Sequence, residues 1–211
     1  MCSSDLPELA GLSVVTTLYY LAHNSLPSMW ALYTGYRYTW NRRDVGLSLA
    51  VVGVCAAVVS GVLVGPFVKR FGERRSVLSG LLFGTLGFAG FALGSRGWMM
   101  LAVIPLIALW GIAAPAMQSL MSRRVDPSSQ GKLQGAINSL RAVTGMAGPV
   151  LFTQVFAVAI SPRFGLHLAG APYFLAALLL LSSLLLAVYV TRPSEAAQSS
   201  PEAATDLNPS E

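Results

Sequence analysis

Four polar side chains and one indole stand alone inside long apolar stretches: His23, Asn24, Trp110, Gln118 and Arg141. His23 and Asn24 precede Pro27 by four and three residues. A proline has no N–H and clashes with the carbonyl four residues before it, so it frees backbone acceptors where the imidazole and amide sit. Arg141 is the sharpest of the five, because a guanidinium at the centre of a membrane helix costs at least about 2.5 kcal/mol. It must face water, a carboxylate or an anionic ligand, unless it snorkels to the membrane surface. Trp110 offers an aromatic face. Gln118, eight residues on, lies about 12 Å further along a helix at 1.5 Å per residue. For Trp110 and Gln118 the competing role is ordinary packing and an interhelical hydrogen bond. These five are the candidate ligand-binding residues. No catalytic or metal site accompanies them. His23 and His167 are isolated, Ser60 lies in V-V-S-G rather than the G-x-S-G of an intramembrane protease, and Cys2 and Cys55 offer no disulfide framework. Neither enzymatic activity nor a cofactor is expected.

The elements that must position these residues follow from the charges. Charged residues make up 11% of the 211 and apolar ones 54%, with a mean hydropathy of +0.61, whereas a soluble domain carries about 25% charge. The formal charges cut the chain into long uncharged windows. Glu8 to Arg37 encloses 28 residues, Asp44 to Lys69 24, Arg75 to Arg96 20, Arg96 to Arg123 26 and Arg163 to Arg192 28. Lys132 to Arg163 encloses 30, interrupted only by Arg141. A spanning helix needs roughly 20 mostly apolar residues. The expected fold is therefore an all-α bundle of six transmembrane helices over residues 11–191. His23, Asn24 and Trp110 fall at mid-window, the depth at which binding sites form around discontinuous helices.

The cations set topology. The loops at 69–75 and 123–132 hold seven Lys or Arg, and Arg192 adds an eighth, against five at 37–43, Arg96 and Arg163. The excess places both termini in the cytoplasm. The pI of 9.6 thus reflects short loops facing the lipid bilayer, and no nucleic-acid partner is expected. The tail 192–211, rich in Pro, Ser, Ala and acid, is expected to be a disordered cytoplasmic tail. Residues 1–10 are expected to be a non-native or linker N-terminus, since CSSDL is encoded by the end of a common sequencing adapter, TGC TCT TCC GAT CT; a genuine short N-terminus is the alternative.

Small residues repeat on two spans. Gly53, Ala57, Gly61 and Gly65 recur every fourth residue of the second, and Gly80, Gly84, Gly87, Gly90 and Gly94 every third or fourth residue of the third. Each set lines one helical face, where close backbone approach drives association in lipid. Between these spans lies GPFVKRFGERR (65–75). Its cations suit the negative end of the second span, Gly72 suits a turn, and Glu73 suits the start of the third. Asp126-Pro127 has N-cap and first-turn chemistry for the fifth span.

The spacing G-x-x-x-K-R-x-G-E-R-R resembles the loop signature of the major facilitator superfamily, G-x-x-x-D-R-x-G-R-R, with Lys69 in place of the acid. RRDVGLSLA (42–50), RFGERRSVLSG (70–80), SRGWM (95–99), APAMQSLMSRRVDPSSQGKLQGAINSL (114–140) and AGPVLFTQVFAVAISP (147–162) look like the C-terminal half of the bacterial tetracycline efflux pumps, drug–proton antiporters of twelve spans. The similarity runs over roughly residues 11–190. It implies a secondary transporter in the bacterial inner membrane, exporting a small amphiphilic drug against protons and partnered by a missing N-terminal half. The spans here would be the seventh to twelfth, arranged as two inverted three-helix repeats. The resemblance also implies that Gly65, Lys69, Arg70, Gly72, Glu73, Arg74, Arg123 and Asp126 form loops that hold one access state. The pattern places an acid where this chain has Gly84, so it carries the transport class further than it carries tetracycline. No Asp or Glu falls within a window; proton coupling would then reside in the other half or at His23. Export of another small molecule, a structural or assembly role, and an inert truncated fragment remain the alternatives.

Overall fold

The computed structural model describes residues 5–161 and 168–191. The expectations for Arg163, His167 and the tail 192–211 fall outside them. Nine α-helices occur among the described residues: α1 (Asp5–His23), α2 (Ser25–Tyr38), α3 (Arg42–Val58), α4 (Val64–Phe71), α5 (Glu73–Leu93), α6 (Gly97–Ala108), α7 (Ala113–Ser122), α8 (Gln130–Ile160) and α9 (Ala171–Val190). A π-helical turn, Val59–Leu63, joins α3 to α4, and a 3₁₀ turn, Leu109–Ile112, joins α6 to α7. Five helical stretches are long and apolar enough to cross a membrane: 42–71, 73–93, 97–122, 127–160 and 171–190. The remaining window is α1 and α2, interrupted at Asn24. The fold is an all-α membrane bundle.

A proline follows each of the three interruptions, although Pro105 and Pro149 lie inside α6 and α8 without breaking them. Pro27, Pro66 and Pro115 each withhold the N–H that the carbonyl four residues earlier would accept, at His23, Val62 and Gly111. The chain answers with a break at Asn24, a π turn in the second span and a 3₁₀ turn in the fourth. The latter two turns pack against each other, with Val59 beside Gly111.

Helix contacts obey an exchange of the first three spans with the last three. Span one (α1–α2) packs on spans six (α9) and five (α8), span four (α6–α7) packs on three (α5) and two (α3–α4), and three meets six. That is the pairing of inverted repeats rather than of three sequential hairpins. The core is aromatic: Tyr33, Phe88, Phe91 and Tyr173 are fully buried where spans one, three and six converge, and the Tyr33 and Tyr173 rings meet edge-on at 4.9 Å.

The two glycine faces differ. On α5, a Cβ at Gly80 would lie 2.8 Å from the Ala113 backbone nitrogen, one at Gly84 2.7 Å from the Trp110 ring, and one at Gly87 2.7 Å from Ile107. That face closes against the fourth span, as its spacing predicts. On the second span the expectation needs correction: among the described residues, nothing lies within 4 Å of a Cβ built at Gly53, Gly61 or Gly65. Its small residues face outward, because the described chain supplies no helix to cover them.

Candidate functional site

The interruption in span one is held by its own side chains. Asn24 keeps a helical backbone (φ −67°, ψ −13°), and its side-chain amide donates to the Tyr20 carbonyl at 2.7 Å. The Ser25 hydroxyl donates to Ala22 O at 2.7 Å and the Ser28 hydroxyl to Asn24 O at 2.6 Å. These side-chain bonds fasten the carbonyls on either side of the break, at Tyr20, Ala22 and Asn24. Gly148 of α8 lets the fifth span reach this junction, since a Cβ there would fall 2.5 Å from Asn24 Cβ.

Seven residues before Gly148, about two turns back along α8, Arg141 extends toward α1. Its guanidinium carbon sits 4.6 Å from the centroid of the Tyr20 ring, a cation–π distance. Tyr19, Tyr20, His23, Asn24, Arg141 and Thr144 line a half-open cavity of about 310 Å³. Tyr19 and His23 also wall a second cavity of about 160 Å³, whose other lining includes Leu26, Val52, Ile107 and Trp110. The Trp110 ring lies 4.8 Å from Tyr19 and 5.4 Å from His23, centroid to centroid, and 5.2 Å from Phe88. The two cavities therefore flank one aromatic partition. One has a cationic, hydrogen-bonding lining and the other an apolar one.

Of the five predicted binding residues, the structure brings His23, Asn24 and Arg141 around one cavity, with Trp110 joined to them through Tyr19 and His23. It places Gln118 elsewhere: its amide donates to Gln134 Oε1 at 3.2 Å, tying α7 to α8. Tyr19, Tyr20 and Thr144 went unnoticed in the sequence. Helical spacing could have found them, since Tyr20 lies three residues before His23 and Thr144 three after Arg141.

Of the predicted loop residues, Gly72, Glu73, Arg74 and Arg123 gather where the start of α5 meets the ends of α7 and α9. Gly72 has φ 78° and ψ 164°, a conformation essentially restricted to glycine. Glu73 does not cap α5 as its position suggests. Its carboxylate instead accepts from the Ser119 hydroxyl and pairs with Arg123 Nε at 2.9 Å, with 13% of the Glu73 side chain exposed against 76% of Arg123. Arg74 Nε donates to Thr191 Oγ1 at 3.2 Å, linking α5 to the end of α9. Arg70 lies over Phe71 instead, 5.9 Å from its centroid, and Lys69 and Gly65 are exposed. Asp126 makes no side-chain cap; it precedes a short 3₁₀ turn, Pro127–Ser129, through its carbonyl, which accepts from Ser129 N–H at 2.8 Å. Gln130, unforeseen in the sequence, reaches back to Ser122 O at 2.8 Å and closes the end of α7. At the opposite end of the bundle, Tyr38 Oη and Arg37 Nε donate to Gly94 O at 2.8 and 3.1 Å, closing the end of α5.

Comparison with known proteins agrees with this architecture. A tetracycline resistance protein of class C from Escherichia coli is 34% identical over 171 residues, covering 81% of this chain and 43% of the relative. The class G protein of Vibrio anguillarum is 34% identical over 151 residues, covering 70% and 38%. Hippocampus abundant transcript-like protein 1 of Homo sapiens is 26% identical over 197 residues, covering 87% and 39%. The chain spans less than half the length of these relatives. The sequence profile of the Major Facilitator Superfamily matches residues 12–210, which takes in α2 to α9 and most of α1, the two cavities and the glycine turn at 72. The chain belongs to the major facilitator superfamily.

Proposed function

We propose that this chain forms the C-terminal half of a secondary transporter that exports a small amphiphilic drug, with tetracycline a candidate, in exchange for protons. The observation that carries the reading is Arg141. It stands at membrane depth with no carboxylate among the described residues beside it, stacks on Tyr20, and borders a cavity at the interrupted helix of span one. A guanidinium so placed serves a polar pathway, because lipid offers nothing to offset its cost. Similarity to the tetracycline resistance proteins of Escherichia coli and Vibrio anguillarum, each 34% identical to this chain, supports the export of a drug. In this reading the outward faces of α3 and α8 receive the N-terminal half, and the cleft becomes one wall of the translocation path. The bundle lies in a bacterial inner membrane with both termini cytoplasmic.

The Asp and Glu positions of the described residues fall at helix ends or in loops: Asp5 and Glu8 are in the first turn of α1, Asp44 is in the first turn of α3, Glu73 begins α5 and Asp126 precedes α8. Proton exchange in this reading therefore uses an acid of the other half, or His23. The Glu73–Arg123 and Arg74–Thr191 contacts fasten helix ends in one access state and part in the other, as packed units switch between discrete arrangements. Expressing the chain alone and the gene with its upstream sequence in a drug-sensitive host, then measuring resistance, tests the proposal. Resistance from the longer gene and none from the chain supports it; no change in drug susceptibility or uptake from the longer gene overturns it.

A further inference from the structure

The two cavities on either side of Tyr19 and His23 have opposite linings, and the cationic one specifies a kind of ligand. Arg141, Asn24 and Thr144 line the cationic cavity, and the Thr144 hydroxyl already donates to Leu140 O at 2.8 Å. An arginine is charged at any accessible pH and has five N–H donors on a planar fork. One face of the Arg141 fork is occupied by the Tyr20 ring at 4.6 Å, which leaves its edge for acceptors. Among the described residues, no Asp or Glu lines either cavity. Behind the Tyr19–His23 partition, on the apolar side, are Trp110, Ile107, Leu26 and Val52. Trp110 is buried, and its ring is fixed from several sides, by Tyr19, Phe88 and the glycine face at Gly84.

We infer that the cavity bordered by Arg141 takes an amphiphilic anion: an aromatic or otherwise flat apolar body against the Tyr19–His23 partition, carrying an anionic oxygen group that meets the edge of Arg141. A cationic amphiphile would put its charge beside a guanidinium with no carboxylate on this wall to offset the repulsion. Asn24 adds little discrimination of its own, since its amide N–H already serves Tyr20 O; the charge preference comes from Arg141. This deepens the transport reading, on which its physiological meaning rests, but the preference itself is a property of binding and is measured without transport.

The probes are 2-naphthalenesulfonate and (2-naphthylmethyl)trimethylammonium, which share a ring and differ in charge. Equilibrium dialysis against the purified full chain in a non-ionic detergent, corrected with protein-free micelles, gives both affinities. The anion is expected to bind about tenfold more tightly, the worth of one charge-assisted contact. Arg141→Gln should abolish that preference, Arg141→Lys should keep part of it, and Trp110→Ala, which removes the ring backing Tyr19 and His23, should weaken both probes together. Helical content by circular dichroism and elution volume verify each variant, and the unmodified chain's preference stands as a test even where a variant misfolds. Binding of both probes without preference, or preference for the cation, overturns the anion and leaves the transport reading standing. Preference surviving Arg141→Gln in a folded chain overturns the role of Arg141. Absence of binding by either probe overturns the cleft as a binding site in this chain.

Discussion

The second and third spans carry the same sequence device to opposite ends. Each presents small residues on one face, yet 50% of the apolar stretch of the third is buried and 11% of that of the second. Gly80, Gly84 and Gly87 bring α5 into contact with the fourth span, while Gly53, Gly61 and Gly65 touch nothing in the described chain. The fifth span resembles the second: Val143, Met146 and Val150 are 65%, 79% and 61% exposed along one side of α8. The difference teaches that spacing announces a close-packing face but does not say which molecule or domain packs there. In the proposed transporter, α5 and α9 build the half, and α3 and α8 join it to the other.

The largest expected effect separates these faces. Gly80→Leu should collapse the yield of folded chain, since the substituted atoms would overlap backbone that has no freedom to retreat, at a cost of about 3 kcal/mol or more. Gly61→Leu should leave the melting temperature of the isolated chain unchanged while reducing transport by the complete protein. A thermal melt in detergent, paired with drug efflux from cells carrying the longer gene, reads both. Equal loss of folding by the two variants would break the distinction.

Gly72→Ala follows, at about 1–3 kcal/mol, because φ 78° with ψ 164° strains any Cβ. A bulkier residue there should cut transport while expression is kept. Glu73→Ala should cost about 1 kcal/mol, from the loss of the Ser119 bond and the Arg123 pair. Arg123→Ala should cost less, because its side chain is 76% exposed and water screens the pair. Melts of the single and double variants form a cycle, and an Arg123 effect larger than that of Glu73 would contradict the assignment. Gln118→Ala should be the smallest, about 0.5–1 kcal/mol from one interhelical bond, with drug resistance of the complete protein unchanged. A selective loss of resistance would return Gln118 to the cleft.

Much of this was legible from charge spacing alone, because uncharged runs of membrane length leave the chain little choice but to span. His23, Asn24 and Arg141 were legible for a related reason: a polar group at that depth needs a purpose. Trp110 was visible, but its coupling to His23 was not, since the contact depends on how span four turns at Leu109–Ile112. Pro66 and Pro115 held that information in the same form as Pro27, four residues after a disturbed carbonyl. A proline only announces that a hydrogen bond is missing. The chain breaks before Pro27, takes a π turn before Pro66 and a 3₁₀ turn before Pro115, and runs on as helix through Pro105 and Pro149. Glu73 was misread for a similar reason: capping is local and legible, whereas its contact with Ser119 and Arg123 joins residues 46 and 50 positions apart.

The claim on which the account turns is that the open faces of α3 and α8 border an aqueous path between two halves, whereas the outer faces of α5 and α9 meet lipid. Thiol chemistry tests it, because the thiolate is the reactive form and needs water. Single cysteines at Val58 and Val143 on the open faces, and at Leu86 and Leu178 on the outer ones, are all well exposed in the chain, at 49%, 65%, 49% and 59%. With Cys2 and Cys55 replaced, each is placed in the complete transporter in native membranes and treated with a charged, membrane-impermeant maleimide. The account predicts that Val58→Cys and Val143→Cys react several-fold faster than Leu86→Cys and Leu178→Cys and are protected by transported drug. Equal reactivity at all four positions, or faster labelling of the outer pair, would contradict it.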